Sequence, residues 1–182
     1  MRVLCNQIRH MIRILIAAKQ KIFGQALSRL LSSDPLFEVT AICADDAAAL
    51  AASWNQQPDI VLLDMNQDCQ SAINVVKKLV ACSKAKIIAL STYPDPGYGN
   101  YMLGAGATGY ITKLAPAAEM LLAVREVAKG NVYICNESKG LLSANSSLYA
   151  LRERQQAAQN NDHRSAGTPA GNHWHQILRF TN

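Results

Sequence analysis

Paired cysteines are missing from this chain. Its five cysteines, at positions 5, 43, 69, 82 and 135, are odd in number and contain no CxxC pair. Scattered thiols of this kind suit a reducing compartment better than a secreted disulfide framework. Charge is scarce too: 17% of the 182 residues are Asp, Glu, Lys or Arg, and the net charge of +5 is spread thinly. Residues 1–135 hold 13 Lys/Arg against 10 Asp/Glu, and residues 136–182 hold 5 against 3. Neither part has the dense basic stripe that would announce nucleic acid by itself. Aromatics reach only 6%, whereas hydrophobic residues make up 49%. That balance predicts a packed aliphatic core and excludes a wholly disordered or collagen-like chain. Long apolar runs are absent as well. The opening MRVLCNQIRHMIRILIAA is interrupted by Arg2, Arg9 and Arg13, so neither a signal core nor a membrane span is expected. The expectation is a soluble cytoplasmic protein with no membrane partner.

What is present is an alternation of short aliphatic runs and longer helical patterns. Met11 directly precedes the first run, so residues 1–10 read as an N-terminal extension. ILIA (14–17), FEVTAICA (37–44), IVLLD (60–64), KIIALS (86–91) and TGYIT (108–112) read as five strands. Between them lie helical patterns. Ile22, Phe23, Ala26, Leu27, Leu30 and Leu31 recur at helix spacing until Ser32-Ser33-Asp34-Pro35 stops them. An Ala- and Leu-rich helix follows over 46–55. Ile73, Val76, Leu79 and Val80 mark a third, and a weak fourth, with Gly97, Gly99 and Gly104 in or beside it, spans about 97–104. The last runs over about 116–129 and ends at Gly130. Strands that are apolar on both faces and separated by helices imply a parallel sheet covered on both sides. The class is α/β: a flavodoxin-like, doubly wound, five-stranded parallel sheet with a polar C-terminal extension, its chemistry expected at the carboxyl ends of the strands.

Those strand ends carry Ala18-Lys19, Asp64, Ser91-Thr92 and Lys113. A carboxylate, a hydroxyl and an ammonium at one edge are the parts of a phosphoryl-accepting site: the carboxylate attacks phosphorus, the hydroxyl bonds a phosphoryl oxygen, and the lysine offsets its charge. At this point AGATGYITK (105–113), PDIVLLDM (58–65) and VREVAKGNVYI (124–134) resemble the fifth-strand signature, the phosphoacceptor strand and the last helix of receiver domains in NarL-type bacterial response regulators. The resemblance covers roughly 12–136. It implies a receiver domain over 11–136, with Asp64 at the phosphoacceptor position, Ser91 at the switch hydroxyl, Tyr110 at the switch aromatic and Lys113 at the pocket lysine.

The departures matter as much. The family places two adjacent acids after the first strand to hold Mg²⁺, and this chain has Ala18-Lys19 there. Magnesium needs oxygen ligands in strict geometry, so no cofactor is expected. Without the metal, phosphoryl transfer to Asp64 loses the main neutraliser of its developing charge. The turn after Asp64 differs from the usual Met-Pro-Gly-like one and reads Asn66-Gln67-Asp68-Cys69. Asp45 and Asp46 do not restore the pair, because acids at a helix start are normally N-cap residues. Lys19 or Lys113 is expected to pair with Asp64 in place of the cation. Ser91 and Thr92 read as satisfied polar residues and Tyr110 as a packed aromatic with a wet hydroxyl.

Residues 137–182 are expected to hold a linker, one polar helix over 147–159 and a disordered tail. LRER (151–154) faintly resembles the opening of the four-helix DNA-binding domain of NarL-type regulators. Only 29 residues follow Glu153, and a helix-turn-helix unit needs about twice that. His173 and His175 in the tail make a weak metal site. The leading expectation is therefore a non-enzymatic, metal-independent pseudo-receiver that acts by protein contact. Its partners would be a histidine kinase, another response regulator or a second copy of itself, through the fourth and fifth helices and the fifth strand. DNA enters only with an output region not recognisable here. Two alternatives stand beside it: a transcription regulator with a shortened output region, and a conventional receiver phosphorylated on Asp64.

Overall fold

A computed structural model describes residues 11–65, 69–92 and 96–135. The expectations for residues 1–10, for the turn at 66–68 and for 137–182, including the helix over 147–159, lie outside the described residues. Six strands run parallel: β1 (Ile12–Ala17), β2 (Phe37–Cys43), β3 (Ile60–Met65), β4 (Lys86–Ser91), β5 (Gly109–Thr112) and β6 (Tyr133–Ile134). Their order in the sheet is β2-β1-β3-β4-β5-β6. The chain winds outward from β1 in both directions, as a doubly wound sheet does.

The apolar runs form the central strands because both of their faces are covered. Ile14, Leu15, Ile16, Ile60, Val61, Leu62, Ile87, Ile88 and Leu90 are fully buried, each contributing about 1.5–3 kcal/mol of transfer free energy. Alternation divides them between two faces. Ile14, Ile16, Ile60, Leu62, Ile88, Leu90 and Ile111 share one core with α1 (Lys21–Leu31) and α5 (Ala117–Lys129). The opposite face, with Leu15, Val61, Ile87 and Tyr110, meets α2 (Asp46–Gln56), α3 (Cys69–Cys82) and α4 (Pro96–Ala105). Asp64 has the parity of Ile60 and Leu62, and Lys113 that of Ile111. Both side chains are therefore directed to the α1 side.

The sixth strand is a finding that periodicity did not give. β6 is two residues long and has no repeat to read, yet Tyr133 N–H donates to Thr108 O at 3.0 Å and Cys135 N–H to Tyr110 O at 3.0 Å. It pairs along β5, which would otherwise be an open edge. The helical patterns also differ in rotation from a simple apolar count. On α1, Gly24, Leu27 and Leu31 are buried while Ile22 is 84% exposed. The helix sits so close to the sheet at Gly24 that a Cβ there would lie 2.8 Å from Ile42 Cγ2. Val80 of α3 is likewise exposed, whereas Val76 and Leu79 are buried.

Caps and an ion pair on a buried carboxylate fix the ends. The Asp45 carboxylate accepts from Ala48 N–H at 2.7 Å at the start of α2, the N-cap role expected of an acid there. Gly130 ends α5 with φ 101°, a left-handed conformation natural to glycine. Buried Asp34, in the turn between α1 and β2, accepts from Leu36 N–H at 3.0 Å and from Arg125 Nε of α5 at 3.0 Å. The Leu36 amide, and less strongly Arg125, hold its carboxyl below the ordinary aspartate value against the opposing effect of burial.

Candidate functional site

Asp64, Ser91 and Lys113 come together because parallel register aligns the carboxyl ends of β3, β4 and β5. Asp64 pairs across to Leu90, Met65 to Ser91, and Ser91 to Thr112. One step past β5, Lys113 N–H donates to Ser91 O at 2.7 Å, which continues the ladder and brings the lysine back over the strand ends. There its ammonium forms an ion pair with Asp64 Oδ1. The Asp64 side chain is completely buried and that of Lys113 is 13% exposed. Of the two lysines expected to compete for this carboxylate, Lys113 makes the pair. Lys19 is exposed.

Among the described residues, the first-strand end supplies no acidic side chain beside the pair. At the end of β1, Ala18 is buried and its N–H donates to Cys43 O at 2.8 Å. No residue in the first turn of α1 is acidic. Asp45 is occupied as a cap. Among the described residues no three His, Cys, Asp or Glu side chains gather as a metal would require.

Two residues not singled out from the sequence for this site lie in it or under it. Phe23 of α1 places its ring centroid 4.9 Å from the Lys113 ammonium. Nothing in the spacing of α1 distinguishes Phe23 from a core position, because the contact depends on how that helix rests over a strand far along the chain. Gly99 of α4 lies against Tyr110: a Cβ at 99 would stand 3.2 Å from the ring Cδ1. Tyr110 is wholly buried, a correction to the expected wet hydroxyl, and the reason is that α4 carries no side chain at the point of contact. Ser91 and Thr112 are buried polar residues, and Thr92 is exposed.

With this geometry in view, comparison with known proteins becomes informative. Residues 14–125 match the family model described as the response regulator receiver domain. The transcriptional regulatory protein DegU of Brevibacillus brevis is 31% identical over 124 residues, covering 68% of this chain and 52% of DegU. The chain spans about half the length of the curated relatives it matches. Among solved structures, the signal receiver domain of the response regulator NarL from Mycobacterium tuberculosis is 25% identical with a TM-score of 0.61, covering 67% of this chain and 99% of that one. A LuxR-family two-component response regulator from Aurantimonas, 22% identical, superposes with a TM-score of 0.69 over 74% of this chain and 96% of its own, and so shares the fold. No helix among the described residues is long and apolar enough to cross a membrane. The strand-end carboxylate and lysine, the doubly wound sheet and these matches agree: the chain belongs to the response regulator receiver domain family of two-component signalling and is similar in sequence to the transcriptional regulatory protein DegU and to the NarL receiver domain.

Proposed function

We propose that this chain is a pseudo-receiver, a signalling module that works by protein–protein contact without Mg²⁺-dependent phosphorylation. The observation that carries the reading is the Lys113–Asp64 ion pair, formed beside a first-strand end that supplies Ala18 and Lys19 in place of acids. The ammonium takes the position of a counter-charge to Asp64, so the carboxylate is compensated from within the chain. Asp64 is then a retained phosphoacceptor position whose charge orders the strand ends, Ser91 is a satisfied polar residue, and Tyr110 is a packed one. No catalytic step is assigned to any of them, and no metal or other cofactor.

Contact with partners is supported by apolar side chains that remain outside the core. Tyr98 and Tyr101 on α4, Leu114 after β5 and Leu122 on α5 are 38%, 62%, 73% and 44% exposed. Such side chains suit contact with a second copy of the chain, a histidine kinase or another response regulator. A second reading, participation in transcription, is favoured by the name of the relative DegU. DNA contact would then fall to an output region outside the described residues or to a partner.

The test is two-dimensional NMR of the full chain with Mg²⁺ and then Mg²⁺ plus beryllofluoride. The expected result is that the amides of Asp64, Ser91 and Lys113 do not move. Saturable shifts at these residues that extend into α4 would establish conventional phosphorylation chemistry and overturn the reading.

A further inference from the structure

A cavity of about 610 Å³ opens at the amino-terminal edge of the sheet, the edge opposite Asp64. Ile12 opens β1 there, Leu36 and Pro58 lead into β2 and β3, and Ala128 lies in the last turn of α5. Ladder hydrogen bonds fix the floor: Asp59 N–H donates to Arg13 O and Lys86 N–H to Asp59 O, both at 2.9 Å. Among these apolar side chains stand four cations, Lys84, Lys86, Arg125 and Lys129, and one carboxylate, Asp59. Two of the cations are committed to carboxylates outside the cavity lining, Arg125 to Asp34 and Lys129 to Glu126. The Asp59 carboxylate accepts from Arg13 N–H at 2.8 Å. Lys86 is partly buried, and among the described residues its ammonium makes one hydrogen bond, to Ala128 O at 2.7 Å. An ammonium has three donors, so two remain for an occupant of the cavity. Burial holds the Lys86 pKa below the ordinary lysine value, and nearby Asp59 only opposes that effect. Lys84 is exposed and has no hydrogen bond or ion pair among the described residues.

We infer that this cavity is a binding site for a small organic anion, its apolar body against Ile12, Leu36, Pro58 and Ala128 and its acidic group on Lys86 and Lys84. Apolar walls with a few convergent polar groups are the usual make-up of a small-molecule site, and the volume falls within the usual range of about 300–1,000 Å³. Charge decides the sign of the ligand. An anion supplies the charge-assisted bonds that Lys86 lacks, whereas a neutral apolar molecule leaves that ammonium as it is. An inorganic anion alone would leave the apolar walls in water. The chain's own first segment, MRVLCNQIRH, carries Arg2 and Arg9 and no acid, so its charge does not match the cavity. The inference is independent of what happens at Asp64.

Two-dimensional NMR of the full chain tests this with three probes: naphthoate, naphthylmethanol and acetate. Naphthoate should saturate with a Kd of about 1 mM or tighter, moving the amides of Ile12, Asp59, Lys86 and Lys129 while those of Asp64 and Ser91 stay still. The alcohol has the rings without the charge and should bind about tenfold more weakly. Acetate has the charge without the rings and should not saturate. Lys86→Met should abolish the preference for naphthoate over the alcohol, and unchanged binding of the alcohol to that variant shows that the cavity keeps its shape. Lys84→Ala, at an exposed position, should reduce the preference about two- to threefold and decides where the methionine variant folds poorly. Equal affinity for naphthoate and the alcohol would overturn the assignment of an anion and leave an apolar cleft. Saturation by acetate on the same residues would overturn the need for an apolar body. Naphthoate shifts that never saturate, or that centre on the tyrosines of α4 or on Asp64, would overturn the site itself.

Discussion

Removing the lysine charge should destabilise this domain more than almost any other single change at its surface-near residues. Lys113→Met keeps most of the side-chain length and its contact with Phe23 but deletes the ammonium, leaving a carboxylate whose side chain is completely buried. Breaking a buried pair from one side costs about 3–5 kcal/mol, because the remaining charge keeps its desolvation penalty and loses its compensation. The Lys113 side chain is 13% exposed, so some water reaches this end, and about 3 kcal/mol is the better expectation. For a domain with the usual stability of about 5–15 kcal/mol this is a large fraction. Urea unfolding at neutral pH reads it directly: with a slope of about 1–3 kcal/mol per molar, the midpoint should fall by about 1–3 M. The companion variant Asp64→Asn has a diagnostic sign. Where several carboxylates crowd together, neutralising one relieves repulsion and stabilises; where a carboxylate faces an ammonium, neutralising it destabilises. A loss of about 1–3 kcal/mol is expected here. The double variant Asp64→Leu/Lys113→Met removes both charges and should recover to within about 1 kcal/mol of the parent, or exceed it. A Lys113→Met cost below about 1 kcal/mol, or a stabilising Asp64→Asn, would refute the claim that this lysine is the counter-ion of Asp64.

Two more outcomes follow from particular contacts. Gly104 of α4 has open space where a Cβ would go, so Gly104→Ala should stabilise by about 0.5–1 kcal/mol through helix propensity. Gly99→Ala has the same propensity gain but pushes against the Tyr110 ring at 3.2 Å, so it should gain less or lose stability; equal midpoints for the two variants in urea would show that the ring gives way freely. Asp34 has a folded-state pKa below its ordinary value, so its contribution is present above the unfolded value of about 3.9 and is lost as pH falls through the folded one. The stability gap between the parent and Asp34→Asn should therefore be widest near neutrality and shrink on acidification, and a gap independent of pH would assign the effect to packing alone.

The sheet was legible because its strands are buried on both faces and so appear as continuous aliphatic runs: IVLLD and KIIALS correspond to β3 and β4 almost residue for residue. α4 was legible despite its glycines, since Met102 and Leu103 still turn inward. β6 was not, because two residues carry no period and its pairing is decided by what β5 leaves open. The rotation of α1 was not legible either. The count of apolar residues favoured Ile22, but close approach at Gly24 decides which face is buried. The same reasoning separates the parts of the site. Asp64, Ser91 and Lys113 end runs that topology aligns, so position along each strand was enough to bring them together. Phe23 reaches Lys113 only through the offset of a helix over the sheet, a quantity that no local pattern encodes.

A receiver responds to a signal only when something that varies binds one arrangement of the molecule better than another; a ligand equally good for both shifts nothing. In the metal-free reading, the positive charge beside Asp64 is a side chain of the same molecule, and its local concentration never changes. Shifting a population from one part in a hundred to ninety-nine takes about 5.5 kcal/mol, which only a group that differs between the two arrangements can supply. The pair is therefore a constant feature of the pocket in this reading, present whatever the signal. In that reading a phosphoryl group arriving at Asp64 would meet the Lys113 ammonium but no metal to offset the rest of its charge. Variation in output must then enter from outside the pocket, through the amount or state of whatever meets the exposed tyrosines of α4, and a search for the signal should begin with binding partners before it turns to kinases acting on Asp64.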